Sequence, residues 1–322
     1  MELLYTELEK LSYNVKINDL KNNFKLMHDG YTKNAGIGQK YIDSYQDALC
    51  YAFFRMASTT AVIKKCLSYI PKCNEELSLL DLGAGTGASI FACLMQEKLT
   101  FSNLNCIESS ENMLKVLNKL ASDISLGFDL KCVKKDVIKD DIDENKSDVV
   151  LASFSMNEMN KTDRIKLLNK MWLLSNKYIL IIEPGTPTAH REMMGYKEYL
   201  ISLGGKVIAP CMNDQCPILK DRNDDWCHFQ VRLQRPTVEV KIKEGDRNFE
   251  DEKFTFLLFS KNKNNESYLN KESIVIRRPM IQKGKISLNV CTKNGTIEQK
   301  IFTKKDGEIY KRAKKLSIGD YI

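Results

Sequence analysis

No stretch of this 322-residue chain approaches the about 18 consecutive apolar residues of a membrane-spanning helix, so no membrane partner is expected. The N-terminus, Met1-Glu-Leu-Leu-Tyr-Thr-Glu, is acidic early and lacks both a signal-peptide pattern and an Arg-rich transit pattern, which leads to a cytoplasmic, reducing location. Internal repeats and long low-complexity tracts are also missing. In a reducing compartment disulfides are disfavoured, so grouped cysteines among the chain's ten read as ligands. What remains, 43% hydrophobic and 28% charged residues, is ordinary for a globular protein. The length suits one large domain with appendages.

Charge is unevenly placed. From His228 onward there are 21 Lys and Arg against 12 Asp and Glu, a balance of +9, whereas the residues before it balance to −2. A basic tail on a near-neutral body suits a polyanion, most simply RNA, with no DNA expected; the alternative is a solvated lysine-rich surface.

Residues 1–76 read as a helical N-terminal region, with apolar residues at three-to-four spacing in 47–57 and 61–67, a break over Gly30 to Gly38 and a stop at Pro71. From Leu77 strands alternate with helices. Strands are expected at 77–82, 104–108, 130–133, 148–154, 177–183, 206–209 and 254–260. Helices are expected at 88–97, from Ser110, at 162–174 and at 188–203. This predicts an α/β, doubly wound, mainly parallel seven-stranded sheet over 77–260, with a cysteine-rich insertion at 209–236. A polar linker at 261–267 leads to a small basic β-rich module, 261–322 with it, where Asn294-Gly295 and Asp306-Gly307 both read as hairpin turns.

Asp81-Leu-Gly-Ala-Gly-Thr-Gly closes the first expected strand. Gly83, Gly85 and Gly87 allow a tight turn and close approach of a ligand. Glu108 ends the second strand, where an acid accepts ribose hydroxyls, and Asp136 follows the third, where an acid contacts an adenine amine. The D-x-G-x-G-x-G pattern resembles the S-adenosylmethionine loop of Rossmann-like class I methyltransferases. Asp81 either contacts the cofactor or only caps the loop. No catalytic residue is assigned. The Asn/Asp-Pro-Pro-aromatic motif of amino-group methyltransferases is missing after the fourth strand, and so is a nucleophilic Cys; Asn157 and Glu158 are the polar groups there, and either lie near the methyl donor or start the next helix.

Cys211, Cys216 and Cys227 fall within 17 residues. Three soft ligands need a fourth; His228 is adjacent to Cys227 and ill placed to share its metal, and Cys291 is the other candidate. All-thiolate ligation suits zinc and iron–sulfur alike. The other six cysteines stand singly in apolar patterns and read as core.

Glu183-Pro-Gly-Thr-Pro, Ala209-Pro-Cys, Gln215-Cys-Pro, Asp225-Trp-Cys-His-Phe and Arg232-Leu-Gln-Arg occur in that order. With Tyr51-Ala-Phe-Phe-Arg-Met-Ala-Ser-Thr, Ile276-Arg-Arg-Pro, Cys291 and Tyr310-Lys-Arg-Ala, they resemble the methyltransferase-like proteins of the mitochondrial ribosome's small subunit and their bacterial relatives. The resemblance runs from about residue 40 onward. It implies a [4Fe–4S] cluster on Cys211, Cys216, Cys227 and Cys291, bound S-adenosylmethionine, and association with the small ribosomal subunit and its rRNA in assembly, translation or rRNA methylation. Family members often carry a second cysteine near the last position; here Cys291 stands alone. The expected RNA contacts are Arg277, Arg278, Lys311, Arg312, Lys314 and Lys315. The alternative reading is a non-catalytic RNA-binding assembly factor with a structural metal site.

Overall fold

The computed structural model describes residues 1–13, 15, 20, 21, 23, 42–142, 145–218, 225–243, 248–262 and 271–322. The expected break over Gly30 to Gly38 lies outside the described residues, as does the linker beyond 262. The chain forms two compact units: Met1–Ile182 with Val231–Glu252, and Glu183–Gln230 with Lys253–Ile322. The cysteine-rich stretch and the C-terminal module therefore belong mostly to one unit.

The first unit begins with α1 (Glu2–Ser12) and α2 (Tyr45–Leu67). Ser44 and Asp47 form a capping box that starts α2, each side chain taking the other's backbone N–H. Then come β1 (Leu77–Leu82), α3 (Ala88–Leu94), β2 (Phe101–Glu108), α4 (Glu111–Ala121), β3 (Asp129–Lys134), β4 (Ser147–Ser153), α5 (Lys161–Leu174) and β5 (Ser175–Pro184). The strands lie in the order β3-β2-β1-β4-β5, all parallel. β1 and β4 are almost wholly buried, as strands covered on both faces must be. Strand order reverses at β1, where β2 lies on one side and β4 on the other. The carboxyl ends there form the crevice in which open α/β sheets hold ligands.

The second unit contains α6 (Pro187–Ser202), whose N-cap Thr186 accepts from Ala189 N, and β6 (Lys206–Ala209). β7 (Phe229–Gln234) and β8 (Phe249–Ser260) both straddle the division of the chain, and α7 (Thr237–Lys243), between them, belongs to the first unit. β6 runs antiparallel to β8, with Val207 opposite Phe259. Phe229, Phe254 and Phe256 are buried together with ring centroids 5.3 to 6.1 Å apart. The C-terminal sheet comprises β9 (Ser273–Val275), β10 (Met280–Gln282), β11 (Lys285–Thr292) and β12 (Ile297–Thr303), with β11 central. Val275, Ile286, Leu288, Val290 and Ala313 form its core. The last helix is α8 (Gly307–Ala313).

This is the expected α/β, Rossmann-like class I methyltransferase architecture with a helical N-terminal region and a small β-rich C-terminal module. Two expectations are corrected. The 209–236 stretch carries β7, where Phe229 and Leu233 are buried at even spacing. And Asp306-Gly307 is not a hairpin: the Asp306 carboxylate takes the Thr303 N–H and hydroxyl, which turns the chain into α8. Asn294-Gly295 does turn β11 into β12, with Gly295 at φ 75°.

Candidate cofactor loop and cysteine site

The glycine loop is tied to the end of β2. Gly83 N and Ala84 N donate to the Ile107 carbonyl at 2.9 and 3.0 Å. Gly85 N donates to Glu108 Oε2 at 2.9 Å, and Ser110 N to Glu108 Oε1 at 2.7 Å. All three glycines have positive φ, between 55° and 89°. Two of them also need the missing side chain. A Cβ on Gly83 would stand 3.0 Å from Ser155 Cβ, and one on Gly87 2.8 Å from Leu117 Cγ. Gly85 faces open space, which leaves backbone accessible to a ligand.

Asp81 is buried beneath this loop, 1% exposed, and its Oδ1 has no hydrogen-bond partner. Burial pushes its carboxyl up to about 7; the neighbouring Ser89 hydroxyl opposes the shift and Glu108 adds to it. An acceptor left unpaired at the ligand end of β1 suits the amine of a bound amino-acid moiety. Asp136 holds the turn after β3, its Oδ1 accepting from Ile138 N and Lys139 N.

Sequence patterns assign no role to four groups that gather at the same strand ends. Arg55, on α2, makes a two-pronged pair with Glu252: Nη1 to Oε2 at 3.2 Å and Nη2 to Oε1 at 2.9 Å. Its guanidinium also lies over the Phe154 ring, 5.8 Å from the centroid. Phe154 follows β4 with φ 54°, rare for an aromatic residue. Burial pushes the Tyr51 phenol up to about 12; Arg55 opposes this, while Glu158, Glu108 and Glu252 add to it. Glu158 rises to about 6 through burial and the nearby Glu108. Asn157 and Glu158 sit in a 3-10 turn, Met156–Glu158, braced by Arg164, whose guanidinium donates to the Met156 and Asn157 carbonyls. Tyr51 and Arg55 are one helical turn apart, a spacing visible in the sequence; Glu252 becomes their neighbour only on folding.

In the second unit Cys211, Cys216, Cys227 and Cys291 line one cavity, together with His190, Met194, Phe229, Phe256, Ile274 and Ile276. They come from the loop after β6, the segment before β7, and β11. Burial pushes the Cys211, Cys227 and Cys291 thiols up; for Cys227 and Cys291, the electrostatic influence of the other cavity cysteines adds to it. His190 Nε2 lies 3.8 Å from Cys216 Sγ. Burial lowers its pKa to about 4, with Arg277 and Arg191 contributing. Among the described residues no group of three or more His, Cys, Asp or Glu is gathered closely enough to hold a single metal ion. The donor set, four thiols from three chain segments on a largely apolar cavity, fits a four-iron cluster, which takes one thiolate per iron.

Of the expected RNA contacts, Arg278, Lys311, Arg312, Lys314 and Lys315 are exposed, the last four on and just after α8; Lys304 and Lys305 extend that row. Lys311 pairs with Glu308 at 2.7 Å. Arg277 is turned inward and holds Asp225 Oδ1 at 2.5 Å. No helix among the described residues is long and apolar enough to cross a membrane.

The family model described as "Mitochondrial small ribosomal subunit Rsm22" matches residues 45–322. The chain is similar to the human protein "Ribosome assembly protein METTL17, mitochondrial", 21% identical over 294 residues, which cover 85% of this chain and 62% of that protein. It therefore spans less than two thirds of that relative's length. Among solved structures it is similar to the magnesium protoporphyrin IX methyltransferase of Synechocystis PCC 6803, at 11% identity, 73% of this chain, 91% of that one and a TM-score of 0.39. It is also similar to TehB from Haemophilus influenzae, at 14% identity, 62% of each chain and a TM-score of 0.39.

Proposed function

The chain belongs to the mitochondrial small ribosomal subunit Rsm22 family, and on that premise we propose that it is an S-adenosylmethionine-binding, methyltransferase-like protein of the small ribosomal subunit that carries a [4Fe–4S] cluster. The family description is mitochondrial, where the N-terminal composition had led to a cytoplasmic expectation. The observation that carries the proposal is the meeting of Cys211, Cys216, Cys227 and Cys291 at one cavity. Cys291 lies 64 residues beyond Cys227, on β11 of the C-terminal sheet, and nothing in core packing alone calls for four thiols there.

The cofactor, when bound, supplies an electrophilic methyl group. Gly83, Gly85 and Gly87 would bring the loop backbone against it. Glu108 would accept its hydroxyls while fixing the loop through Gly85, and Asp81 Oδ1 would take its amine. Asp136 stays with the adenine end as a proposal. The cluster, when bound, would join the 211–227 stretch to β11 and so brace the basic module, whose Arg278, Lys311, Arg312, Lys314 and Lys315 would meet rRNA phosphates. Closing so long a loop in the unfolded chain contributes several kcal/mol by order of magnitude.

A second reading, a non-catalytic RNA-binding assembly factor, draws on the acceptor side of the loop. Asn157 and Glu158 lie in the turn that Arg164 braces through the Met156 and Asn157 carbonyls, and the sequence patterns assign neither a catalytic role. One preparation tests both. Protein purified without air should be brown, with about four irons per chain as the cluster formula requires; colourless protein with one zinc would defeat the cluster. Labelled methyl transfer to immature small subunits, lost in Gly85→Arg, supports the enzyme. RNA binding without transfer leaves the assembly factor.

A further inference from the structure

From α6 we infer, on the reading that the four cysteines hold an iron–sulfur cluster, that Lys197 and His190 are positioning residues which donate to the Cys211 and Cys216 thiolates and set the cluster's charge balance and reduction potential. His190, Met194 and Lys197 recur at four- and three-residue spacing and so share one face of the helix. Lys197 and His190 are each 1% exposed and Met194 is 7% exposed.

Lys197 is the more telling. Its Nζ donates to the Asn213 carbonyl at 2.8 Å, two residues along the chain from Cys211, and its charge works against the burial that pushes the Cys211 thiol up. Among the described residues no carboxylate pairs with it. A lysine this deep is rare without a counter-charge, because the ammonium gives up its hydration on burial. A carbonyl and a neutral thiol do not offset that. A thiolate does, and four thiolates around an iron–sulfide core leave the excess negative charge that a buried cation balances.

His190 supplies the second donor. Its Nε2 lies 3.8 Å from Cys216 Sγ, while its buried Nδ1 has no partner. With the proton on Nε2, the ring gives its one N–H to sulfur. The Asn213 amide links this wall to the fourth ligand, donating to the Thr292 carbonyl at 3.3 Å, next to Cys291. Both donors thus fall on the Cys211–Cys216 side, while Phe229, Phe256, Ile274 and Ile276 make up much of the remaining lining. Donors to cluster sulfurs raise the reduction potential by stabilising the extra electron.

The test uses the full chain, loaded with iron and sulfide without air, as wild type, Lys197→Met, Lys197→Arg, His190→Phe and His190→Gln. An EPR-monitored redox titration should give a lower midpoint for Lys197→Met and His190→Phe, with Lys197→Arg and His190→Gln near wild type. Iron loss to a chelator should be at least threefold faster in Lys197→Met. Metal-free Lys197→Met should melt no lower than the metal-free wild type, since it removes an uncompensated buried charge. Wild-type midpoints and chelation rates in both Lys197→Met and His190→Phe overturn the inference, as does a lower metal-free melt, which marks a merely structural lysine. A wild type that takes up no four-iron cluster overturns the underlying reading, and the inference with it.

Discussion

Gly85 donates its backbone N–H to Glu108 Oε2 at 2.9 Å, so the loop after β1 is held by the acid that ends β2. The same carboxylate takes the Ser110 N–H on its other oxygen. Glu108 is therefore a fixed acceptor rather than a mobile surface acid. Glu108→Ala should weaken S-adenosylmethionine binding at least tenfold, about 1.4 kcal/mol, by calorimetric titration. Glu108→Gln, which retains one acceptor oxygen, should fall between. Equal affinity in all three proteins would remove Glu108 from the cofactor site.

The three loop glycines should respond unequally to alanine. Gly87→Ala meets Leu117 at 2.8 Å and sits at φ 89°. Overpacking costs about 1–3 kcal/mol and the left-handed backbone about 1–2 kcal/mol more. Gly85→Ala has nothing within 4 Å and carries only the backbone strain. In thermal melts of the cofactor-free protein Gly87→Ala should fall clearly further than Gly85→Ala. The opposite ranking would mean that the loop does not pack as described.

Asp81 gives the first unit a pH dependence whose sign is fixed. Its carboxyl rises from an ordinary value near 3.8 to about 7 in the fold. A raised acid favours the folded state while protonated, and that advantage is lost as pH rises from about 4 through 7, where the unfolded chain has already released its proton. Asp81→Asn lacks this loss. The melting temperature of the variant minus that of the wild type should therefore grow from pH 4 to pH 8 without cofactor. A flat difference would place Asp81 in a solvated setting.

Arg55 and Glu252 form a two-pronged pair, with side chains 35% and 12% exposed. Removing one partner leaves the other partly desolvated. Because Arg55 keeps a third of its surface in water, the cost of Glu252→Ala should be modest, about 1–2 kcal/mol. Arg55→Ala with Glu252→Ala should recover part of it in a double-mutant cycle. Simple additivity in denaturant melts would show that the pair contributes nothing.

The sheet was legible because buried parallel strands are written as short continuous apolar runs, as in Leu77–Leu82 and Ser175–Pro184, and because the glycine loop falls where the first run ends. β7 was harder. Its alternation over Phe229–Gln234 is short and embedded in a polar, cysteine-rich stretch. Asp306-Gly307 misled because a turn dipeptide does not say which side chain will cap it; Thr303, three residues earlier, decides. Lys197 and Arg55 were illegible for a different reason. A lysine or arginine in a helix is ordinarily solvated, and only the fold reveals that one is buried against the Asn213 carbonyl and the other bound to Glu252, 197 residues away. Arg277 shows the converse, a cation that charge alone assigned to RNA and that folding commits to Asp225.

That distinction yields a test of the basic module. Lys311, Arg312, Lys314 and Lys315 are exposed on and after α8, whereas Arg277 braces Asp225 from within. Binding of a cation to phosphate releases counterions, and the slope of log affinity against log salt falls by about 0.7 for each neutralised phosphate given up on single-stranded RNA. Changing all four exposed residues to Gln should reduce that slope by about 3 and weaken binding of a small-subunit rRNA fragment with little change in melting temperature. Arg277→Gln should do the reverse, since it unties the guanidinium from Asp225 and from the Ile276 carbonyl: a lower melt and an almost unchanged slope for the folded fraction. If the fourfold variant binds with the wild-type slope, α8 is a solvated surface and the RNA contacts lie elsewhere on the chain.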